Sequence, residues 1–326
     1  MTKGRILSGM RPTGPLHLGH YVGALKNWAA LQDEYDCHYM VADWHALMSE
    51  YADTSEIEKW TREMVADWIA CGLDPERSIL FVQSQVPEHA ELHLIFSCVT
   101  PLGWLERCPT YKEQRKEIKD KDLETYAFLG YPTLQAADIL IYLADVVPVG
   151  EDQLPHLELT REIARRFNNL FAPVFPEPQG KLTTTPRLLG LDRRKMSKSY
   201  RNFIALADDA DTVVEKAMTM VTDPKRIRVT DSGHPDECNV CSYYEVFAPD
   251  QAATVQDRCR NAKWGCTDCK QNLAETLNEV LEPIRKRRNA LLGETGKVEA
   301  ILESGREKAS LLAAETMKKV RAALTF

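Results

Sequence analysis

Short apolar runs alternate with helix-spaced segments through the first half of the chain, and no other feature restricts its fold as tightly. Ile6-Leu7-Ser8-Gly9 reads as a strand, and Leu18 to Leu31 as a helix with apolar residues at helical spacing. Cys37 to Ala42, Ser78 to Gln83 and Val146 to Val149 are further strand-like runs. Between and after them, Ser55 to Cys71, Glu91 to Val99, Tyr131 to Leu143 and Asp152 to Phe167 carry helical spacing. Strands separated by helices pair in parallel through right-handed crossovers, so the pattern predicts an α/β fold with a doubly wound parallel sheet. Ligands of such sheets sit beyond the carboxyl ends of the strands, which directs attention to the loops after them.

Beyond about residue 205 the strand signals stop. Asp208 to Val221, Gln271 to Leu292 and Gly296 to Leu324 all read as helices. The division expected is a Rossmann-like catalytic domain over residues 1–205 and an all-helical domain over 206–326. No run of ~18 apolar residues is present, so no transmembrane helix is expected, and no leader-like segment opens the chain. A cytoplasmic protein follows as the expectation. The 41 Lys plus Arg against 48 Asp plus Glu give a net charge of −7, which excludes a global basic field for nucleic acid. Any RNA contact has to use a local patch, and Arg285-Lys286-Arg287-Arg288 is the candidate for phosphate contacts.

Two loops carry phosphate chemistry. Arg11-Pro12-Thr13-Gly14-Pro15-Leu16-His17-Leu18-Gly19-His20 follows the first strand. Its glycines and prolines permit a tight turn and close backbone approach to a ligand. His17 and His20, three apart, are expected to share a helical face and donate to phosphate oxygens. The second loop, Arg193-Arg194-Lys195-Met196-Ser197-Lys198-Ser199, is a dense cationic, hydroxyl-rich patch near the expected domain boundary.

His17-Leu18-Gly19-His20 resembles the HIGH signature, and Lys195-Met196-Ser197-Lys198-Ser199 matches the KMSKS signature, of class I aminoacyl-tRNA synthetases. Gly150-Glu151-Asp152-Gln153 with His156-Leu157-Glu158-Leu159-Thr160-Arg161 looks like the segment after a strand in bacterial tryptophanyl-tRNA synthetases. Tyr131-Pro132 and Ala136-Ala137-Asp138-Ile139-Leu140 resemble their substrate helix. Tyr131, Gln135 and Asp138 also resemble the substrate helix of tyrosyl enzymes, which leaves tyrosine open as the alternative substrate. A nucleotidyltransferase of the same fold and a non-catalytic RNA-binding paralogue are the competing classes; the Lys-Met-Ser-Lys-Ser match argues against the first, and intact His17, Lys195 and Lys198 against the second.

The resemblance implies activation of L-tryptophan by ATP with Mg²⁺, then transfer to tRNA(Trp), by a homodimer. It implies His17, His20, Lys195 and Lys198 as catalytic residues. Arg11, Pro12, Thr13, Gly19, His20, Gly150, Glu151, Asp152, Leu188, Lys195, Met196, Ser197, Lys198 and Ser199 are implied at the ATP site. Asp138 is the expected reader of the amino-acid side chain, because an indole offers one N–H donor and a carboxylate only accepts. Leu7, His45, Tyr131 and Gln135 complete the expected tryptophan pocket.

Of nine cysteines, Cys37, Cys71, Cys98 and Cys108 are scattered through apolar surroundings and are expected to be small buried hydrophobes. Cys238, Cys241, Cys259, Cys266 and Cys269 are crowded together. Their spacings suit structural zinc or a [4Fe–4S] cluster held by four thiolates. A subset of tryptophanyl-tRNA synthetases carries a similar C-x6-C-x2-C ending and a [4Fe–4S] cluster. That likeness implies Cys238, Cys259, Cys266 and Cys269 as ligands, with zinc on Cys238-x2-Cys241 as the alternative.

Overall fold

The computed structural model describes residues 3–109, 123–182, 188–196 and 200–325. Five parallel strands form one sheet in the order β3-β2-β1-β4-β5. They are β1 (Arg5–Met10), β2 (Asp36–Val41), β3 (Ser78–Val82), β4 (Val146–Val149) and β5 (Gln179–Leu182). The first four are apolar runs, as strands covered on both faces must be. Alternate residues feed two separate cores: Ile6, Tyr39 and Leu80 face one, Leu7, Met40 and Phe81 the other. The expected doubly wound sheet is what forms.

The first core is filled by α1 (Leu18–His20), the π-helical stretch Tyr21–Leu25, α2 (Lys26–Leu31) and α4 (Ile57–Ala70). Between β2 and α4 lies α3 (Asp43–Glu50). The second core is covered by α5 (Glu88–Val99), α6 (Leu102–Arg107), α7 (Tyr126–Ile141) and α8 (Leu154–Leu170). Sequence patterning missed α3, α6 and β5. The last, Gln-Gly-Lys-Leu, is an edge strand whose residues are mostly exposed, so it has no apolar signature.

The remaining elements are α9 (Ala210–Thr219), α10 (Asn239–Phe247), α11 (Pro249–Arg260), α12 (Cys266–Gly293) and α13 (Lys297–Leu324). Patterning missed α10 and α11. Helix α13 turns back to cover β3, the other edge of the sheet: a Cβ on Gly305 would stand 1.7 Å from the carbonyl oxygen of Leu80. Only glycine permits that approach.

The Arg285–Arg288 stretch is not the continuous exposed basic surface expected of it. Arg288 is buried, its Nε donates to Asp67 Oδ1 at 2.7 Å and its Nη2 to Glu63 Oε2 at 2.6 Å, both on α4. Arg287 Nε donates to the Ala70 carbonyl at 2.7 Å, and Arg285 Nη1 to the Asp208 carbonyl at 3.1 Å. Lys286 and Arg287 are exposed, whereas Arg285 and Arg288 are buried. Arg287 takes up the carbonyl at the end of α4, and with Arg288 it ties α12 to the sheet domain. The scattered cysteines are a partial miss: Cys37 and Cys108 are buried, but Cys71 is half-buried and Cys98 exposed.

Candidate active site

Strands β1 and β4 register only at Ile6 and Val146 and then part, since Pro148 offers no N–H to continue a ladder. The gap opens a cavity of about 410 Å³ at their carboxyl ends, the topological switch point of the sheet. Leu7 to Arg11 line one wall and Val147 to Gly150 the opposite one.

Helix α7 closes a third side. Tyr131, Gln135 and Asp138 lie at i, i+4 and i+7, hence on one face, and all three line the cavity with His45 of α3. Leu7, 3% exposed, lies there too. The five residues expected at the amino-acid pocket are therefore brought together.

Asp138 is fully buried among donors. Its Oδ1 accepts from Gln83 Nε2 and from His89 Nδ1, each at 2.7 Å, and its Oδ2 from His45 Nε2 at 2.7 Å. Burial pushes its carboxyl up, but the bonds from His45 and His89 outweigh that and hold it at about 2. His89 Nε2 lies 2.8 Å from the Tyr142 hydroxyl, which extends the network into the core. Gln83, His89 and Tyr142 escaped sequence reasoning. His89 falls before the point where apolar spacing makes α5 visible, and Gln83 reads as the end of a strand.

A second chain of polar groups flanks the first. His156 of α8 lies with Nε2 3.0 Å from the Tyr131 hydroxyl and Nδ1 3.2 Å from Gln135 Oε1. Burial lowers His156 to about 4, so the ring is neutral, and burial raises the Tyr131 phenol.

The nucleotide residues are partly assembled. Arg11 and Gly150 line the cavity, and Glu151 and Asp152 stand exposed on the single turn that follows, Glu151–Gln153. Pro12, Thr13, Gly19, His17 and His20 lie outside the cavity lining. His17 is not on the helical face expected for it; it caps the helix. Its Nδ1 accepts from Gly19 N at 3.1 Å, while His20 Nδ1 accepts from His17 N at 3.2 Å. With Nδ1 accepting, a neutral imidazole carries its proton on Nε2.

The two signature loops meet. Leu18 N donates to the Ile204 carbonyl at 3.1 Å and Leu206 N to the Leu16 carbonyl at 2.9 Å, just beyond the second loop. A Cβ on Gly19 would lie 2.9 Å from Met196 Sδ, so the missing side chain is what lets Met196 rest against the first loop. Lys195 is exposed beside it. Ser197, Lys198 and Ser199 lie outside the described residues. Leu188 is buried in the first core, not on the cavity wall.

Cys238, Cys241, Cys259, Cys266 and Cys269 line one small cavity between α10, α11 and α12, together with Arg226 and Trp264. Arg226 Nη1 lies 3.9 Å from Cys266 Sγ. Among the described residues, however, no three His, Cys, Asp or Glu side chains converge as they would around a bound ion.

The geometry agrees with what the chain is similar to. The family of class I tRNA synthetases (W and Y) matches residues 2–282. Tryptophan–tRNA ligase of Thermotoga maritima is 50% identical over 325 residues, covering 99% of both chains. That of Aquifex aeolicus is 42% identical, covering 99% of this chain and 100% of its own. Among solved structures, the tryptophanyl-tRNA synthetase of Campylobacter jejuni complexed with ADP and tryptophan superposes with a TM-score of 0.90 at 31% identity, covering 99% of this chain and 100% of that one. A tyrosyl-tRNA synthetase of Archaeoglobus fulgidus shares the fold, with a TM-score of 0.69 at 23% identity. The chain belongs to the class I tRNA synthetases of the tryptophan and tyrosine family, among the bacterial tryptophanyl-tRNA synthetases.

Proposed function

We propose that the switch-point cavity is where this chain performs the ligation of tryptophan to its tRNA, with Asp138 as the reader of the indole N–H. The observation that carries this is a fully buried carboxylate, ionised and held by three donors, on the wall of a cavity that apolar side chains such as Leu7, Trp28, Met40 and Phe128 also line. A carboxylate there accepts an N–H and offers no proton to compete. Leu7, His45, Tyr131 and Gln135 complete the pocket.

In the first step the tryptophan carboxylate attacks the α-phosphorus of ATP, forming the adenylate and releasing pyrophosphate. The nucleophile is already ionised, so no general base is required, and the protein supplies positioning and charge stabilisation. Arg11, Pro12, Thr13, Gly19, Gly150, Glu151, Asp152 and Leu188 are assigned to binding ATP. His17 and His20 are assigned to donate to phosphate. Lys195 and Lys198 neutralise the leaving pyrophosphate, and Met196, Ser197 and Ser199 are assigned to the ATP site beside them. Mg²⁺ bound with ATP would add to the charge that Lys195 and Lys198 supply against the phosphates. In the second step a terminal ribose hydroxyl of the tRNA attacks the carbonyl carbon and AMP leaves.

Lys198→Ala should lower the single-turnover rate of adenylate formation with tryptophan affinity unchanged, because the leaving charge develops only in the transition state. A pure loss of affinity would move this loop to ground-state binding.

Residues 1–205 are assigned to activation and 206–326 to the anticodon side, with α13 returned to the sheet. The five thiols around one cavity support a structural [4Fe–4S] cluster on Cys238, Cys259, Cys266 and Cys269. Iron and sulfide analysis of protein purified without oxygen should find four of each per chain, with visible absorption that Cys266→Ser removes; zinc, or no metal, would overturn the cluster. The apolar Leu94, Leu102 and Tyr126, 64%, 62% and 74% exposed on three packed helices, support a homodimer. The compartment assigned is the cytoplasm, where the tRNA is used.

A further inference from the structure

Resting on the tryptophan reading above, we infer that His156 is a positioning residue that turns Tyr131 and Gln135 into a pair of acceptors for the α-ammonium of the amino acid. Gln135 presents its amide oxygen to His156 Nδ1 at 3.2 Å, so that nitrogen carries the ring proton. Nε2 is then an acceptor, and the Tyr131 hydroxyl donates to it at 3.0 Å. Cys108 Sγ also approaches Nε2, at 3.6 Å, but the Tyr131 hydroxyl is the closer and stronger donor, so His156 takes the one proton Tyr131 has and gives its own to Gln135. Both oxygens keep lone pairs, and neither directs a proton at a ligand.

The surroundings hold that arrangement in place. His156 is 3% exposed, and its ring stacks on Tyr131 with centroids 5.3 Å apart. Thr160 Oγ1 donates to the His156 carbonyl at 3.0 Å, which ties the residue to its own helix. A ring protonated on both nitrogens would reverse the bond from Tyr131, and burial keeps the ring neutral.

Position along α7 assigns the ligand group. At ~1.5 Å rise per residue, Gln135 lies about 4.5 Å and Tyr131 about 10.5 Å from Asp138 along the axis. An amino acid whose side-chain N–H meets Asp138 extends its backbone nitrogen into the interval between them. That nitrogen is a cation with three protons, and two aligned oxygens without competing protons suit it.

The test separates an ammonium effect from damage to the pocket. Tryptamine keeps the ammonium and lacks the carboxylate; indole-3-propionate has the reverse. Calorimetric titration of His156→Leu should show tryptamine weakened by about tenfold, in line with a hydrogen bond to a charged group, and indole-3-propionate within about twofold of wild type. Gln135→Met, which leaves His156 in place, should give the same one-sided loss. In the Gln135→Met background, His156→Leu should cost less than it does alone, because the two act through one oxygen. Equal losses for both analogues, or none for either, would overturn the positioning role. Wild-type protein that binds neither tryptophan nor either analogue would overturn the tryptophan reading itself, which is a distinct result.

Discussion

Asp138→Ala lowers kcat/KM for tryptophan in ATP–pyrophosphate exchange by about 100-fold or more, while KM for ATP changes little. A hydrogen bond to a charged group contributes ~1.5–3 kcal/mol, and the upper end of that range corresponds to about 100-fold. The upper end applies because the substitution also strands Gln83, His89 and His45, whose N–H groups converge on the carboxylate. Because Asp138 is held at about 2, below its ordinary 3.8, its stabilisation of the fold is present above about pH 4 and is lost as pH falls through about 2. The tryptophan KM of the wild type should therefore owe no pH dependence to Asp138 in the neutral range. Unchanged tryptophan kinetics in Asp138→Ala would make the residue structural.

Arg288→Ala destabilises the protein by about 3–5 kcal/mol, the usual consequence of removing one partner from a buried ion pair. The guanidinium bridges Asp67, 2% exposed, and Glu63, and joins α12 to α4. Burial pushes the Asp67 carboxyl up to about 7 despite Arg288 beside it, from an ordinary 3.8. A raised carboxyl favours the fold below about pH 4, and that contribution is lost as pH rises through about 7. Without Arg288 the ionised form is costlier still, so the variant should lose more stability at pH 8 than at pH 5. Urea unfolding at the two pH values measures this; equal loss at both would mean that Asp67 carries no charge in either protein.

The same arginine shows where sequence reading stops. Four adjacent cationic residues read as an RNA-facing stripe, yet Arg285 and Arg288 are buried and Arg287, though exposed, is tied to a carbonyl. Nothing in their own spacing reveals Asp67, Glu63 or the Ala70 carbonyl, which come from a helix more than 200 residues away in the chain. The sheet was legible because β1 to β4 are built on apolar runs, whereas β5 has none. Asp138 was legible because a lone carboxylate amid Ala, Ile and Leu requires partners. The partners were not, since Gln83 and His89 approach it through the packing of α5 against α7. His17 was assigned a helical face from its spacing to His20, but the backbone begins its helix one residue later and makes His17 a cap.

ATP–pyrophosphate exchange driven in turn by each of the twenty amino acids tests the central claim most directly. Tryptophan alone should support exchange, with Mg²⁺ and without tRNA, because the cavity between β1 and β4 ends on an acceptor fitted to a single N–H. Exchange driven by tyrosine, or by no amino acid, would contradict it.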